Sequence, residues 1–435
     1  MSLGVTLPAV RHVLAAVALL TAFLLLAIAA LLAPAPARAQ ASASDDVERG
    51  AYLARVGDCT ACHTAPGGSE MAGGLPMKMP FGTIYTTNIT PDPDTGIGRY
   101  RLEDFERAVR RGIAPGGRHL YPAMPYPSFT KITDADLRAL YAYFMNGVPS
   151  IHQPNRKNGV PWPLDARWPL AVWDAAFTGR RFQPDPTHDA EWNRGAYLVE
   201  GAGHCGACHT PRGIGFQEKA LDNRSDRFLA GGPVLDGWTA PSLRGEPGTG
   251  LAGWSTQNVE DFLKTGRTGA ASAFGSMADV VQHSTQYLSD PDLRAIGVYL
   301  KSLGPARGTP KITPVANDRT AAALHDGDLR KPGAAAYVDS CAACHRTDGA
   351  GYAGVFPRLA GNPAVLQSSA ADVIRIVLKG SAVPATTTAP SSFTMPPFGD
   401  RLDDQDVAGV VNLIRNSWGN QAPAVTAPEV KAQRK

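Results

Sequence analysis

Helical spacing of apolar residues recurs at three widely separated places in this chain. Thr133 is followed by two acidic residues and then by apolar positions as far as Phe144, which predicts a capped amphipathic helix. Ser289 and Asp403 each begin a stretch with the same order of capping residue, acidic first turn and apolar face. The spacing predicts a further helix over residues 101–111, and the glycine- and proline-rich sequence between helices predicts long loops.

A shorter pattern precedes each of these helices and indicates an internal repeat. Arg49-Gly-Ala-Tyr52-Leu53 recurs as Arg194-Gly-Ala-Tyr197-Leu198, and a related stretch ends at Tyr337. We therefore expect one module to be used three times in the 435 residues. The predicted boundaries are a first segment at 45–150, a linker at 151–186, a second segment at 187–304, a linker at 305–331, a third segment at 332–420 and a disordered tail at 421–435.

The N-terminal residues have the composition of an export signal. Val13–Leu32 is an uncharged apolar run, and Ala37-Arg38-Ala39 is a small-residue cleavage pattern, so we expect a signal peptide over residues 1–39. A retained membrane anchor is the alternative, because about 20 apolar residues can span a bilayer. Cleavage would leave basic and acidic residues nearly balanced, which argues against nucleic acid as a partner. No later stretch is long and apolar enough to span a membrane.

All six cysteines belong to three copies of the pattern Cys-x-x-Cys-His. This is the attachment pattern of c-type haem, in which two thiols bond the porphyrin and the adjacent histidine binds the iron. A thioredoxin-like pair would not need the histidine, and zinc would need four clustered ligands, whereas the copies lie roughly 140 residues apart. The sequence predicts three haems c, attached through Cys59, Cys62, Cys205, Cys208, Cys341 and Cys344.

A second strong ligand on each iron would make the haem an electron carrier rather than a binding site for small molecules. One methionine in each segment follows the motif by a long stretch and precedes the closing helix, which suits a ligand reaching over the opposite face. The predicted axial ligands are His63, Met124, His209, Met277, His345 and Met395.

Other side chains compete with these methionines. The methionines between residues 71 and 79 lie too near the first motif to fold back over the ring, and Met145 falls in a predicted helix where a core role is more usual. His119 and His283 lie close to two of the predicted ligands and are rivals, although a histidine of this kind more often lies at the surface.

The linker at 151–186 has an unusual composition. It is rich in proline and contains Trp162, Trp168 and Trp173. Because a solvated linker would not carry three tryptophans, we expect it to pack against the first or second segment, or against a partner.

With these motifs the chain resembles the three-haem cytochrome c subunits of bacterial membrane-bound dehydrogenases that act on alcohols, gluconate, sorbitol, fructose or aldehydes. The resemblance implies a mainly α fold of three consecutive class I cytochrome c domains joined by Pro-rich linkers. It assigns the cysteines, histidines and methionines above to three haems c. Besides the haem motifs, the residues that carry it are Phe81–Asp92, Gly96-Ile-Gly98, Tyr121–Tyr126 and Phe356–Asn362.

The resemblance also implies partners and a location. In this family the subunit binds a large catalytic subunit that holds a flavin, a pyrroloquinoline quinone or a molybdenum centre. Electrons pass through the haems towards ubiquinone or a terminal oxidase, at the outer face of the cytoplasmic membrane in the periplasm. A free-standing periplasmic electron carrier is the alternative, and a haem enzyme with one open iron is a third possibility. No Ser/His/Asp set or acidic pair stands out, and three G-x-G-x-x-G matches lack the strand–helix setting of a dinucleotide site.

Overall fold

The computed structural model describes residues 43–308 and 318–434. Residues from Asp46 onward form one compact unit. The predicted signal peptide lies outside the described residues. Within them, no helix has the length and apolar character that crossing a membrane requires.

The fold is mainly helical, with short two-stranded sheets. The elements up to residue 150 are α1 (Ala43–Val56), α2 (Cys59–Cys62), β1 (Pro76–Met79), β2 (Gly82–Tyr85), α3 (Leu102–Arg111), β3 (Ile113–Ala114), β4 (Arg118–His119), α4 (Tyr126–Phe129) and α5 (Asp134–Asn146). The strands pair antiparallel, β1 with β2 and β3 with β4. The predicted helix at 101–111 is confirmed as α3, which buries Phe105 in the core.

The middle of the chain follows a similar order of elements. It contains α6 (Leu170–Phe177), α7 (Ala190–Tyr197) continued by a π-helical turn (Leu198–Ala202), α8 (Gly206–His209), β5 (Val234–Leu235), β6 (Trp238–Thr239), α9 (Thr256–Thr265), α10 (Ser276–His283) and α11 (Asp290–Ser302). Strands β5 and β6 form an antiparallel pair.

The last part of the chain is also mainly helical. It contains α12 (Thr320–His325), α13 (Ala334–Ser340), α14 (Ala342–His345), α15 (Pro363–Leu366), α16 (Ala371–Lys379), β7 (Ser381–Ala382), β8 (Thr394–Met395), α17 (Asp404–Arg415) and α18 (Ala427–Gln433). Strands β7 and β8 pair antiparallel.

The three predicted closing helices are confirmed as α5, α11 and α17, each with a side-chain cap. Thr133, Ser289 and Asp403 accept hydrogen bonds from the backbone amide three residues later. Each closing helix is crossed by the helix that precedes the haem motif. A Cβ at Gly50 or Gly195 would lie 2.0 Å from a carbonyl oxygen of α5 or α11. Only glycine permits so close a crossing.

Apolar packing joins the first two segments and leaves the third with a core of its own. One cluster of buried side chains draws on both the first and second segments, for example Phe129 and Phe144 with Leu198 and Leu293. A separate cluster centred on α17 contains only residues of the chain's last part, such as Tyr337 and Val411. The three repeats therefore do not each have a hydrophobic core of their own: the first two share one, and the third has its own.

The prediction of a disordered tail at 421–435 is wrong. Residues 427–433 form α18, which begins with a capping box between Thr426 and Glu429. Val430 is fully buried against α16 and α17. The polar composition of the tail concealed this single apolar anchor, because its burial depends on helices far away in the sequence.

The predicted linkers are more ordered than their composition suggests. In the linker at 305–331, α12 buries Leu324 in the third core. The linker at 151–186 folds back over the first segment, where Asn155 and Asn158 accept hydrogen bonds from backbone amides of the loop 85–88 at 2.7 and 2.8 Å. Trp173 packs on Tyr126 and donates to Gly215 in the second segment. The other two tryptophans of this linker are exposed.

Three candidate haem sites

The histidine of each Cys-x-x-Cys-His motif is held in the same way. In all three sites the ring nitrogen Nδ1 lies within hydrogen-bond distance of a backbone carbonyl oxygen, at 2.7, 2.7 and 2.9 Å. A carbonyl oxygen can only accept, so Nδ1 carries the proton and the lone pair lies on Nε2. The pairs are His63 with Thr87, His209 with Pro241 and His345 with Pro357. This arrangement is the one that a metal-binding histidine uses to fix its ring.

Burial also suits these histidines to iron. It lowers the pKa of His63, His209 and His345 below the usual value, although the bond to the carbonyl opposes that shift. A neutral imidazole is the form that binds a metal. The chain therefore presents three imidazoles, buried at His345 and partly buried at His63 and His209, whose Nε2 is left to bind a metal.

Four of the six motif cysteines are unsuited to thiolate chemistry. Burial raises the pKa of Cys59, Cys205 and Cys341 to about 12 and that of Cys62 to about 11. A redox-active pair needs a depressed pKa, so the thioredoxin-like alternative loses support. No group of three or more metal-binding side chains comes together within 43–308 and 318–434. Thioether bonds to haem need neither a thiolate nor a cluster.

A cavity of about 420 Å³ lies beside the first motif. Cys59, Cys62, His63 and the predicted ligand Met124 all line it. Its walls are largely apolar, whereas cationic and amide side chains line other parts of it, an arrangement that suits a haem with an apolar ring and carboxylate arms. These cationic and amide lining residues are Arg118, Arg156, Arg167, Asn88, Asn155 and Asn158. The residues of the first site fit the group.

Some methionines of the first segment line the cavity, and others pack in the protein core. The predicted ligand Met124 lines the cavity, and Met77 on β1 also lines it. Sequence proximity had set Met77 aside, so the cavity has a second thioether. Met71 is buried, and its sulfur accepts a hydrogen bond from Thr60 at 3.8 Å. Met145 packs against the core, as expected for that helix.

The other two predicted methionines lie on regular elements. Met277 is the second residue of α10 rather than part of a loop, and α10 packs against α2 of the first motif. Met395 lies in β8, paired with Ser381, and packs partly buried against the third core.

The two rival histidines are engaged elsewhere. His119 is paired with Asp174, with 2.5 Å between Nδ1 and Oδ2, and it is not among the residues that line the cavity. His283 is half-buried at the end of α10, where its Nδ1 donates to the carbonyl of Asp279. Neither arrangement favours a role as an iron ligand.

Comparison with known proteins agrees with this chemistry. The cytochrome c family pattern matches residues 47–147 and 331–418. The chain is 52% identical over 395 residues to the gluconate 2-dehydrogenase cytochrome c subunit of Pantoea cypripedii, covering 89% of each chain. It is 50% identical to the alcohol dehydrogenase (quinone) cytochrome c subunit of Gluconacetobacter polyoxogenes, covering 89% of this chain and 84% of that one. The fructose dehydrogenase cytochrome subunit of Gluconobacter japonicus is 38% identical, with 92% and 84% covered.

The chain belongs to the family of dehydrogenase cytochrome c subunits. Membership implies haem c as cofactor and electron transfer as activity. The family pattern covers the first and third motifs but not the second. At the second motif, His209 makes the same Nδ1-to-carbonyl bond as the histidines of the first and third motifs.

One buried residue of this cytochrome subunit escaped the sequence analysis. His204 directly precedes the second motif, yet it lines the cavity of the first site together with Ala202. Its ring meets Phe129 edge-on at 5.4 Å. The first site is therefore completed by the second segment. Adjacency to Cys205 was the sequence signal, but only the packing of the two segments gives His204 its place.

Two buried carboxylates near the first and second motifs were also missed. Burial raises the pKa of Asp58 to about 8, with the charge of Asp279 as a further cause. Burial likewise raises the pKa of Glu218 to about 7, while Arg212 and Lys131 oppose the shift. One oxygen of each carboxylate has no hydrogen-bond partner. Both groups are therefore neutral more often than a surface carboxylate would be.

Proposed function

We propose that this chain is a periplasmic three-haem cytochrome c that carries electrons from a dehydrogenase catalytic subunit towards ubiquinone or a terminal oxidase. The observation that carries the proposal is the threefold recurrence of a partly or fully buried histidine with Nδ1 bonded to a carbonyl next to a Cys-x-x-Cys pair. Relatives named as cytochrome c subunits of gluconate, alcohol and fructose dehydrogenases support the catalytic partner.

The residues that would hold the haems are those of the motifs and one methionine per segment. Cys59, Cys62, Cys205, Cys208, Cys341 and Cys344 would form the thioethers. The iron ligands would be His63 with Met124, His209 with Met277, and His345 with Met395. Each bound haem would supply reversible one-electron transfer at its iron.

The chain's own residues prepare each site for that chemistry. The carbonyls of Thr87, Pro241 and Pro357 orient the imidazoles and keep Nε2 available. The apolar walls of the first cavity exclude water, which together with thioether ligation favours a high reduction potential. Its arginines offer positive charge to the haem carboxylates.

The arrangement of three cytochrome c domains joined by linkers is part of the proposal. His204 of the second segment lines the first site, which supports a short path between the first and second haems. A shared apolar core would hold these two haems at a fixed separation. The third haem would belong to a domain with its own core.

Haem stoichiometry and ligation provide the direct test. We expect intact mass and a haem assay to give three covalent haems per chain, and Met124→Ala, Met277→Ala and Met395→Ala each to convert one haem to a high-spin form of lower potential. Met145→Ala is the matched control, since Met145 packs in the core. Met77→Ala decides between the two thioethers of the first cavity. An unchanged spectrum after any one substitution would exclude that methionine as a ligand.

The partner and the location need a separate experiment. The untagged protein is purified from native membranes, and co-eluting chains are identified alongside haem staining. A stoichiometric catalytic subunit is expected, and the N-terminus of the exported protein should be Gln40. If the chain elutes alone from the soluble fraction, the free-standing carrier replaces the subunit as the best description.

A further inference from the structure

Exposed apolar side chains are concentrated in one region of this protein. Within residues 43–308 and 318–434, eleven large hydrophobic residues are exposed, and six of them lie in the linker or in the loop after the second motif. These six define the linker surface, and their exposed fractions are Trp162 84%, Leu164 55%, Trp168 76%, Val172 70%, Ile214 102% and Phe216 51%. A soluble protein rarely gathers such residues unless something covers them.

Helix α6 of the linker has its charged residue on the buried face and apolar residues on the exposed face. Its only charged residue, Asp174, is buried, where it accepts from Tyr126 at 2.6 Å and pairs with His119. The outer face of the helix is apolar and exposed, comprising Ala171, Val172, Ala175 and Ala176. An amphipathic helix normally shows the opposite arrangement. An apolar environment at the outer face would explain this inversion.

Contacts join the two halves of the linker surface. Tyr121 donates to the carbonyl of Leu164 at 3.3 Å and lies 6.2 Å from Phe81, whose ring is 6.2 Å from that of Phe216. Trp173 donates to Gly215, the residue between Ile214 and Phe216. The exposed residues therefore form one connected region rather than scattered points.

Charge around this region is predominantly positive. Residues 156–181 contain five basic side chains and two acidic ones, of which Asp174 is buried. Arg156, Lys157 and Arg180 are exposed, whereas Asp165 is the one exposed acid in the range. A surface with this charge attracts an anionic partner.

We propose that the linker surface docks on an anionic lipid bilayer, with its tryptophans at the headgroup level. The proposal rests on the proposed function, in which a periplasmic carrier passes electrons towards ubiquinone, a lipid-soluble acceptor in the membrane. Tryptophan is favoured at the membrane interface, and basic residues at its edge meet anionic headgroups. All six side chains are exposed over more than half of their surface, and a fluid lipid surface accommodates them without a complementary partner shape. Tyr121 and Arg167 line the first cavity and contact this region, so docking places the first site beside the lipid.

Vesicle binding tests the proposal on the haem-loaded protein lacking residues 1–39, as verified by intact mass. The probes are vesicles of phosphatidylcholine alone and of an equimolar mixture with phosphatidylglycerol. We expect co-sedimentation with the mixed vesicles, stronger at low salt, and a loss of about tenfold or more in Trp162→Ser/Trp168→Ser. Ile214→Ser should weaken binding less. Val234→Ser, an exposed apolar residue outside the linker surface, should leave it unchanged.

Two results would overturn the docking proposal. One is the absence of vesicle binding: the wild-type protein does not sediment with the mixed vesicles, or Trp162→Ser/Trp168→Ser sediments with them as well as the wild type does. The other is a double variant that keeps vesicle binding but no longer co-purifies with a catalytic subunit, which would assign the surface to a protein. Haem content and midpoint potentials are measured on the same samples. A deficit in haem would count against the proposed function, whereas normal haems with no vesicle binding would count only against docking.

Discussion

The junction between the first and second segments differs in kind from the junction between the second and third. The first two segments share an apolar core, and buried polar side chains cross between them. The third segment is attached mainly by hydrogen bonds from side chains to backbone, such as Asn362 to Ala270 and Arg375 to Asp236. A common sequence pattern has thus been used for two different kinds of assembly.

The first junction is built by an exchange of tyrosines. Tyr52 of the first segment donates to Asp292 of the second, and Tyr197 of the second donates to Asp136 of the first, each at 2.5 Å. Each aspartate is also bonded by the arginine of its own segment, three residues before the tyrosine that crosses over. The Arg-Gly-Ala-Tyr repeat is therefore an interface motif. In the third segment Tyr337 donates within its own segment, to the Arg346 carbonyl.

A buried ion pair strengthens the same junction. Lys131 and Glu200 are both almost fully buried, with 2.7 Å between Nζ and Oε2. Tyr299 donates to the second carboxylate oxygen at 2.6 Å, and Lys131 donates to the carbonyl of Leu221. Removing one partner from such a site leaves an uncompensated charge, whose cost is high.

The largest expected effect comes from breaking that ion pair. Lys131→Met should lower the free energy of unfolding by about 3–5 kcal/mol, because Glu200 would stay buried without its cation. Chemical denaturation followed by haem absorbance and circular dichroism measures it. The matched control is Lys331→Met, at the end of the linker before the third segment, where the lysine is exposed and its ammonium donates to neutral groups of Thr320, Asn416 and Ser417. Equal losses in the two variants would contradict the distinction between the junctions.

The second prediction concerns Glu218, the buried carboxylate near the second motif. Burial raises the pKa of Glu218 from its ordinary 4.5 to about 7 in the folded protein. Its stabilising contribution is therefore fully present below the unfolded pKa and is lost as pH rises through 7, by on the order of 3 kcal/mol. Denaturation midpoints measured between about pH 5 and pH 8 should fall less in Glu218→Gln than in wild type. The exposed Glu103→Gln should keep the wild-type slope, and a wild-type slope in Glu218→Gln would refute the assignment.

The third prediction addresses the second junction. Arg267 donates to the carbonyls of Ala389 and Ser391 at 3.2 and 2.6 Å and lies 5.1 Å from the ring centre of Phe393. Arg267→Lys keeps the charge but loses the planar fork of donors, so we expect a loss of about 2 kcal/mol. Hydrogen exchange should accelerate in residues 383–393. Arg401→Lys, at an exposed ion pair, is the control and should leave exchange there unchanged.

The smallest expected difference is in the free energy of unfolding lost by Tyr197→Phe and by Tyr337→Phe. Tyr197→Phe should cost about 1.5 kcal/mol, because a bond to a carboxylate is lost while Arg49 still pairs with Asp136. Tyr337→Phe should cost about 1 kcal/mol, since its hydroxyl serves a neutral carbonyl. Urea denaturation of both variants provides the measurement. A larger loss for Tyr337→Phe would mean that the exchanged bonds add nothing to the first junction.

The sequence by itself determined the features that depend on neighbouring residues. The capped closing helices followed from Thr133, Ser289 and Asp403, since a cap acts on amides within one turn. The adjacency of cysteine and histidine identified the motifs, because haem attachment needs those groups on one short stretch. The position of Met124 before the closing helix made it the predicted ligand of the first site, and it lines the first cavity.

Only the tertiary structure decided which distant residues meet. It brought His204 into the first site, buried Val430 of the predicted tail, and turned Trp162 and Trp168 outward while Trp173 packed inside. Local composition gives each residue a tendency to be buried, but the neighbour that buries it comes from another part of the chain. Burial is a property of the assembled surface, and for that reason the two junctions could not be told apart from their shared repeat.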